Sequence, residues 1–186
     1  MNALWLVRHA QPLVAPGVCY GAWDVAADEA ATQKAAHRLA DAVPSGAVVI
    51  TSPLQRCEQL TLVLRGLQPN LTYNTDARLR EMDFGHWEGQ RWDAIGRDEL
   101  DGWTAAFATW RCGGGECVAD FMVRVAAAWD EALALEQPVV WITHAGVARA
   151  VTLLAQGRRQ IDDASQWPAQ APAFGAWTVV PRPAPW

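Results

Sequence analysis

Two histidines and two arginines stand where this 186-residue chain turns from apolar runs into loops. Arg8-His9 follows the first run. Thr51-Ser52-Pro53 follows the second, with Arg56 just beyond it, and Thr143-His144-Ala145-Gly146 follows the third. Arginine offers a planar, permanently charged fork that can give an oxyanion two parallel hydrogen bonds. Imidazole can serve as nucleophile, base or donor near neutral pH. Ser52 reads as a helix N-cap and Pro53 as a first helical residue, with Arg56 one turn in, and helix N-termini favour anions. Two cations and two imidazoles drawn to one place describe a phosphate pocket.

The elements that must draw them together are legible as patterns. Residues 4–7, 47–50 and 139–142 are continuous in Val, Ile, Leu, Trp and Ala, which suits strands covered on both faces. Helical stripes lie between and after them. Ala31, Ala35, Leu39 and Ala42 share one face, and Cys57, Leu60, Leu64 and Leu67 a second. Phe121, Val125, Ala128, Trp129 and Ala132 form a third stripe, and Val147, Val151 and Leu154 a fourth. The alternation predicts an α/β fold, a three-layer sandwich with a largely parallel central sheet and helices on both faces. Ligands of such sheets bind at the carboxyl edge of the strands, which is where the four residues fall. Residues 8–28 and 78–89 read as long loops, and 174–180 as an edge strand. The chain reads as a single domain without repeat or linker, ending in a loose Pro-rich tail over 181–186.

Composition excludes several classes. With 51% hydrophobic and 19% charged residues the chain is neither disordered nor a disulfide-stapled miniprotein. Fifteen basic against twenty acidic side chains leave a net charge of −5 and no basic face, so no nucleic-acid partner is expected. No apolar stretch is long enough for a bilayer, so no membrane partner is expected either. The first residues lack a charged region followed by an apolar one. With four cysteines and no leader, the reading expects reduced thiols and a cytoplasmic location. Cys112 and Cys117 resemble half a metal site, but no second pair accompanies them, so no metal and no cofactor are expected. Gly113-Gly114-Gly115 lacks the Gly-Lys-Ser/Thr of a P-loop.

Taken together, Leu6-Val7-Arg8-His9-Ala10, Ser52-Pro53-Leu54-Gln55-Arg56, Leu79-Arg80-Glu81-Met82-Asp83-Phe84-Gly85 and Thr143-His144-Ala145-Gly146 resemble the histidine phosphatase superfamily, which includes the cofactor-dependent phosphoglycerate mutases. The motifs stand in the family's order over about residues 4 to 150. Pro16-Gly17-Val18-Cys19-Tyr20-Gly21-Ala22-Trp23-Asp24-Val25 further resembles the branch that includes α-ribazole phosphatase. The chain departs from the pattern at Ala10, where Gly is usual, and at Pro12 and Ala15, which replace Thr and Asn. It departs again at Cys117, which replaces Ser or Thr, and lacks Pro-Leu after Val25. These changes touch substrate contacts and leave the four central positions intact.

The resemblance implies a phosphomonoester hydrolase. His9 would be the nucleophile, Arg8, Arg56 and His144 would hold the phosphoryl group, and Glu81 would be the general acid, with Asp83 and Glu88 as nearby alternatives. His144 would donate a hydrogen bond or carry charge raised by the dianion. Ala145, Tyr20 and Gly21 join the substrate-binding set, and Trp23 is a further candidate for substrate packing. The blander readings are core histidines, a solvated Arg56 on a helix face, and Glu116 as a structural acid. His86 could approach the pocket or serve packing, and His37 is expected to be exposed. The favoured substrate is α-ribazole 5′-phosphate. A phosphoglycerate mutase, a broad sugar or nucleotide phosphatase, and a non-catalytic phospholigand-binding protein are the alternatives. The expected partner is a small phosphomonoester, and a homodimer is the one protein assembly the reading leaves room for.

Overall fold

The computed structural model describes residues 3–181. Its strands are β1 (Ala3–Arg8), β2 (Val48–Thr51), β3 (Thr72–Thr75), β4 (Val139–Thr143) and β5 (Trp177–Pro181). Its longer helices are α1 (Glu29–Ala42), α2 (Gln55–Leu67), α3 (Arg97–Ala105), α4 (Val118–Ala134) and α5 (Ala145–Ala155). The sheet order is β3-β2-β4-β1-β5; β5 runs antiparallel to β1 and the other pairings are parallel.

Strand alternation divides the core into two. Leu4, Leu6, Val139 and Trp141 meet Phe121, Val125, Val147 and Val151 of α4 and α5 on one face. Val7, Val49, Val140 and Ile142 meet Ala35, Leu39, Leu60 and Leu64 of α1 and α2 on the other. All five residues of β4 are buried, which explains its unbroken apolar run. Each large apolar side chain fully buried in this way stabilises the fold by roughly 1.5–3 kcal/mol. The α/β sandwich read from the sequence is the observed one.

Register then carries the functional residues to one edge. Arg8 pairs with Thr143 and Thr51 with Ile142. One residue further on, the His9 N–H donates to the Thr143 carbonyl at 3.0 Å and the Ser52 N–H to the Ile142 carbonyl at 2.9 Å. His144 itself is the N-cap of α5. Three adjacent strands therefore end in Arg8-His9, Ser52 and His144.

Several expectations need correction. The α2 helix starts at Gln55 with Leu54 as N-cap, so Ser52 and Pro53 lie before it. Arg56 is accordingly its second residue instead of one turn in. The Ser52 hydroxyl accepts from the Leu54 N–H at 3.3 Å, bracing the turn instead of capping the helix. Leu67 ends its stripe 37% exposed. Strand β3 and helix α3 are additions to the elements read from the sequence. The first is Thr-Tyr-Asn-Thr at a sheet edge, held by backbone pairing to β2, and the second has no buried residue, so neither carries an apolar period. The edge strand expected at 174–180 is β5, which includes Pro181, paired with Ala3; the rest of the expected tail lies outside the described residues.

Candidate active site

His9 is 2% exposed at the end of β1. Its Nδ1 lies 2.7 Å from the Ala10 carbonyl oxygen. A carbonyl can only accept, so Nδ1 carries the proton and Nε2 keeps its lone pair. Burial, aided by the Arg56 and Arg8 charges, lowers the ring's pKa to about 3. The imidazole is thus neutral at physiological pH, with one nitrogen available as a nucleophile.

Cations and donors surround it. Arg8 sits over the Phe174 ring, 3.8 Å from its centroid, and donates from Nη1 to the Pro172 carbonyl at 3.1 Å. Arg56 is completely buried, which removes the reading of a solvated helix face. It donates to the carbonyls of Trp23 at 2.9 Å and Gly21 at 2.7 Å, so it also fixes the loop after His9. The His144 ring lies 5.2 Å from the His9 ring, centroid to centroid. Its Nε2 faces the Ser52 hydroxyl at 2.8 Å and the Cys57 thiol at 3.5 Å. Burial first, then the Arg56 charge, lowers the His144 pKa well below the ordinary value, so it is a neutral donor until an anion arrives. Arg8 Nε, Arg56 Nε and His144 Nδ1 are buried and meet no acceptor among the described residues.

Glu81 lines the same cavity as Arg8 and His9. Its carboxylate accepts from its neighbour Met82 N–H and from Gly146 N–H, each at 3.0 Å, which seats it on the first turn of α5. A carboxylate there also meets the positive end of the helix. The alternative acids are engaged elsewhere. Glu88 accepts backbone N–H bonds from Ala22, Trp23 and Phe84, and exposed Asp83 accepts from Gly85. Gly113 and Gly115 let their segment close on the acid loop: a β-carbon at 113 would lie 2.1 Å from the Phe84 carbonyl oxygen and one at 115 2.5 Å from that of Asp83. The glycine run is a packing device.

Arg8, His9, Glu81, Tyr20 and Ala145 line one cavity of about 470 Å³. Its lining is otherwise largely aromatic, with Phe84, Trp92, Trp103, Phe107, Phe121 and Trp167. Arg56 and His144, both fully buried, are not among its lining residues. Gly21, expected in the substrate-binding set, does not line it; the residue is wedged where a β-carbon would stand 1.9 Å from the Met82 carbonyl oxygen, and it serves Arg56 instead. Trp23, 47% exposed, also stands outside the wall. His86 is exposed and faces Glu99 at 3.3 Å, and His37 is exposed.

A model of the histidine phosphatase superfamily (branch 1) matches residues 4–174. The chain belongs to that superfamily. Among solved structures it is similar to a mycobacterial glucosyl-3-phosphoglycerate phosphatase, at 25% identity and a TM-score of 0.79, covering 96% of this chain and 89% of that one. It is also similar to TTHB049 from Thermus thermophilus, at 28% identity and a TM-score of 0.71, covering 95% and 92%. A structure described as a mycobacterial hydrolase matches at 25% identity and a TM-score of 0.77, covering 96% and 81%. No curated protein matches by sequence. This histidine phosphatase is an enzyme of the phosphatase class. No helix among its described residues is long and apolar enough to cross a membrane.

Sequence reasoning missed part of the phosphatase's site. Arg149 lines the cavity four residues after Ala145, a helical spacing that could have revealed it. The aromatic wall draws on segments far apart in the chain, and no local period announces it. Arg124 of α4, which binds the segment carrying Glu81, sits within an apolar stripe where its own role leaves no pattern.

Proposed function

We propose that this phosphatase hydrolyses phosphomonoesters, without a metal, through a phosphohistidine on His9, and that α-ribazole 5′-phosphate is its favoured substrate. The observation that carries the reading is an imidazole whose Nε2 is free, beside Arg8 Nε, Arg56 Nε and His144 Nδ1, three of the six buried side-chain nitrogens that meet no acceptor among the described residues. Buried donors without acceptors are costly, and a phosphoryl group supplies acceptors to all three.

His9 Nε2 attacks the phosphorus in line as the ester P–O bond breaks. Arg8, Arg56 and His144 meet the equatorial oxygens, where charge spreads during transfer. Glu81 gives its proton to the departing alcohol oxygen. The resulting carboxylate then takes a proton from a water that attacks phosphorus, the N–P bond breaks, and phosphate leaves with His9 and Glu81 restored. Against a non-catalytic phosphate binder stands the neutral, tautomer-fixed His9, which binding alone does not need.

The aromatic lining of the cavity supports a leaving group with a flat ring system, as the base of α-ribazole provides. Arg149 favours a second reading, an ester whose leaving group bears an acidic group, in keeping with the name of the mycobacterial phosphoglycerate-ester phosphatase. The four buried free thiols are in keeping with a cytoplasmic location. The test is phosphate release from α-ribazole 5′-phosphate in EDTA, wild type beside His9→Ala. Efficient release lost in the variant is the expected result. No release from this ester, with a generic aryl phosphate still cleaved through His9, would discard the substrate and keep the chemistry.

A further inference from the structure

Residues 78–81 run without a strand partner, yet four successive carbonyls there are hydrogen-bonded. Arg124 donates to Arg78 O at 2.6 Å, Arg80 O at 2.8 Å and Glu81 O at 3.0 Å, and the Thr143 hydroxyl donates to Leu79 O at 2.8 Å. The remaining guanidinium N–H groups bind Glu116, Nε to Oε1 at 2.7 Å and Nη2 to Oε2 at 2.9 Å. A guanidinium has five N–H donors, and all five are accounted for. Arg124 and Glu116 are 22% and 16% exposed, so the pair is shielded from screening. Glu116 also accepts from the Asp83 N–H at 3.4 Å, gripping the same loop beyond Glu81. The Arg124 guanidinium lies 4.5 Å from the centroid of Phe121, which lines the cavity.

From this geometry we infer that Arg124, braced by Glu116, is a positioning residue that fixes Glu81 for proton transfer. The inference rests on the reading of Glu81 as general acid. Glu81 is held at both ends, its carboxylate by Gly146 N–H and its backbone carbonyl by Arg124. With no donor left over, Arg124 acts through Glu81 and not on the phosphoryl group. Lysine cannot replace it, because one ammonium cannot span three carbonyls and a carboxylate in a fixed plane.

The leaving group reports this role. p-Nitrophenolate departs with little need of a proton, whereas a simple alkoxide needs one, so misplacing the acid penalises an alkyl phosphate far more than p-nitrophenyl phosphate. A general disturbance of the fold lowers both alike. The experiment measures kcat/KM, which reads the steps through departure of the leaving group, for both esters in wild type, Glu81→Gln, Arg124→Lys and Glu116→Gln. Glu81→Gln should lose about 10²-fold or more on the alkyl ester and much less on the aryl ester. Arg124→Lys should lose about tenfold more on the alkyl than on the aryl ester, and Glu116→Gln should show the same sign at smaller size. Equal losses on both esters, or none, in Arg124→Lys while Glu81→Gln keeps its split would overturn the role of Arg124. Absence of a split in Glu81→Gln itself would overturn the general acid, and this inference with it. Should Arg124→Lys not fold, Glu116→Gln decides by the same criterion.

Discussion

Glu81 and Gly146 occupy interlocking space. The carboxylate accepts the Gly146 N–H at 3.0 Å, and its other oxygen stands 2.1 Å from the point where a β-carbon on residue 146 would lie. The acid can rest on the helix terminus only because the helix offers no side chain there.

Gly146→Ala should therefore separate stability from activity. The atom in the way is the tip of a flexible side chain, so the clash is relieved by moving Glu81 and the fold survives. Alanine also favours a helix over glycine by up to about 1 kcal/mol, which offsets any local adjustment. The expected outcome is an unchanged or slightly higher Tm with kcat/KM on an alkyl phosphate lowered at least about tenfold. A thermal melt beside steady-state kinetics checks it; a lower Tm with intact activity would contradict the seating of Glu81.

His9 should make the fold acid-sensitive. Its folded pKa of about 3 lies below the ordinary 6.5. Between those values the unfolded chain binds a proton that the native ring refuses. Stability is therefore full above about 6.5 and falls as the pH drops toward 3, at up to about 1.4 kcal/mol per pH unit. His144, lowered for the same first reason, adds a slope of the same sign. Urea denaturation in phosphate-free buffer on both sides of pH 6.5 should give a shallower decline for His9→Gln than for wild type. Parallel curves would count against a depressed His9.

The Ser52 hydroxyl, 2.8 Å from His144 Nε2, should set which nitrogen of that ring carries the proton. If the hydroxyl donates to Nε2, the proton sits on Nδ1, the nitrogen that lacks a protein acceptor. Ser52→Ala removes that bias. One hydrogen bond of about 1 kcal/mol corresponds to roughly fivefold weaker binding of inorganic phosphate. Calorimetric titration reads it directly, and unchanged affinity would deny the hydroxyl this role.

Most of the architecture was legible because burial imposes it on composition. Strand β4 is apolar at every position since both its faces are covered, and α4 and α5 show stripes since one side meets the sheet. The convergence of Arg8-His9 and Thr143-His144 was legible for the same reason, both pairs being the ends of such strands. Strand β3 left no trace because backbone pairing holds it and only Tyr73 of its four side chains packs against the core. The engagement of Arg56 with two loop carbonyls depends on long-range loop geometry. So does the five-bond arrangement of Arg124, whose acceptors are mostly main-chain carbonyls that any sequence would supply. Side-chain chemistry can be read from letters, whereas main-chain acceptors cannot.

Trp167 offers the cleanest test of the leaving-group reading. It lies in the irregular segment between α5 and β5 and only partly buries its ring, against Phe107 at 6.2 Å and Phe121 at 6.3 Å between centroids. Removing it should leave the fold intact, because it is only partly buried at the edge of the core that contains Phe121 of α4. Loss of an aromatic contact worth about 0.5–1.5 kcal/mol predicts a KM for α-ribazole 5′-phosphate raised up to about tenfold in Trp167→Ala. On the proposed reading Arg8, Arg56 and His144, and not Trp167, hold the phosphoryl group, so inhibition by inorganic phosphate should be unchanged, and so should kcat/KM for a small alkyl phosphate. A KM that rises for the aromatic ester alone means that the ring binds the leaving group. Equal losses on both esters would mean that Trp167 merely shapes the wall and that the aromatic cavity is not where the leaving group sits.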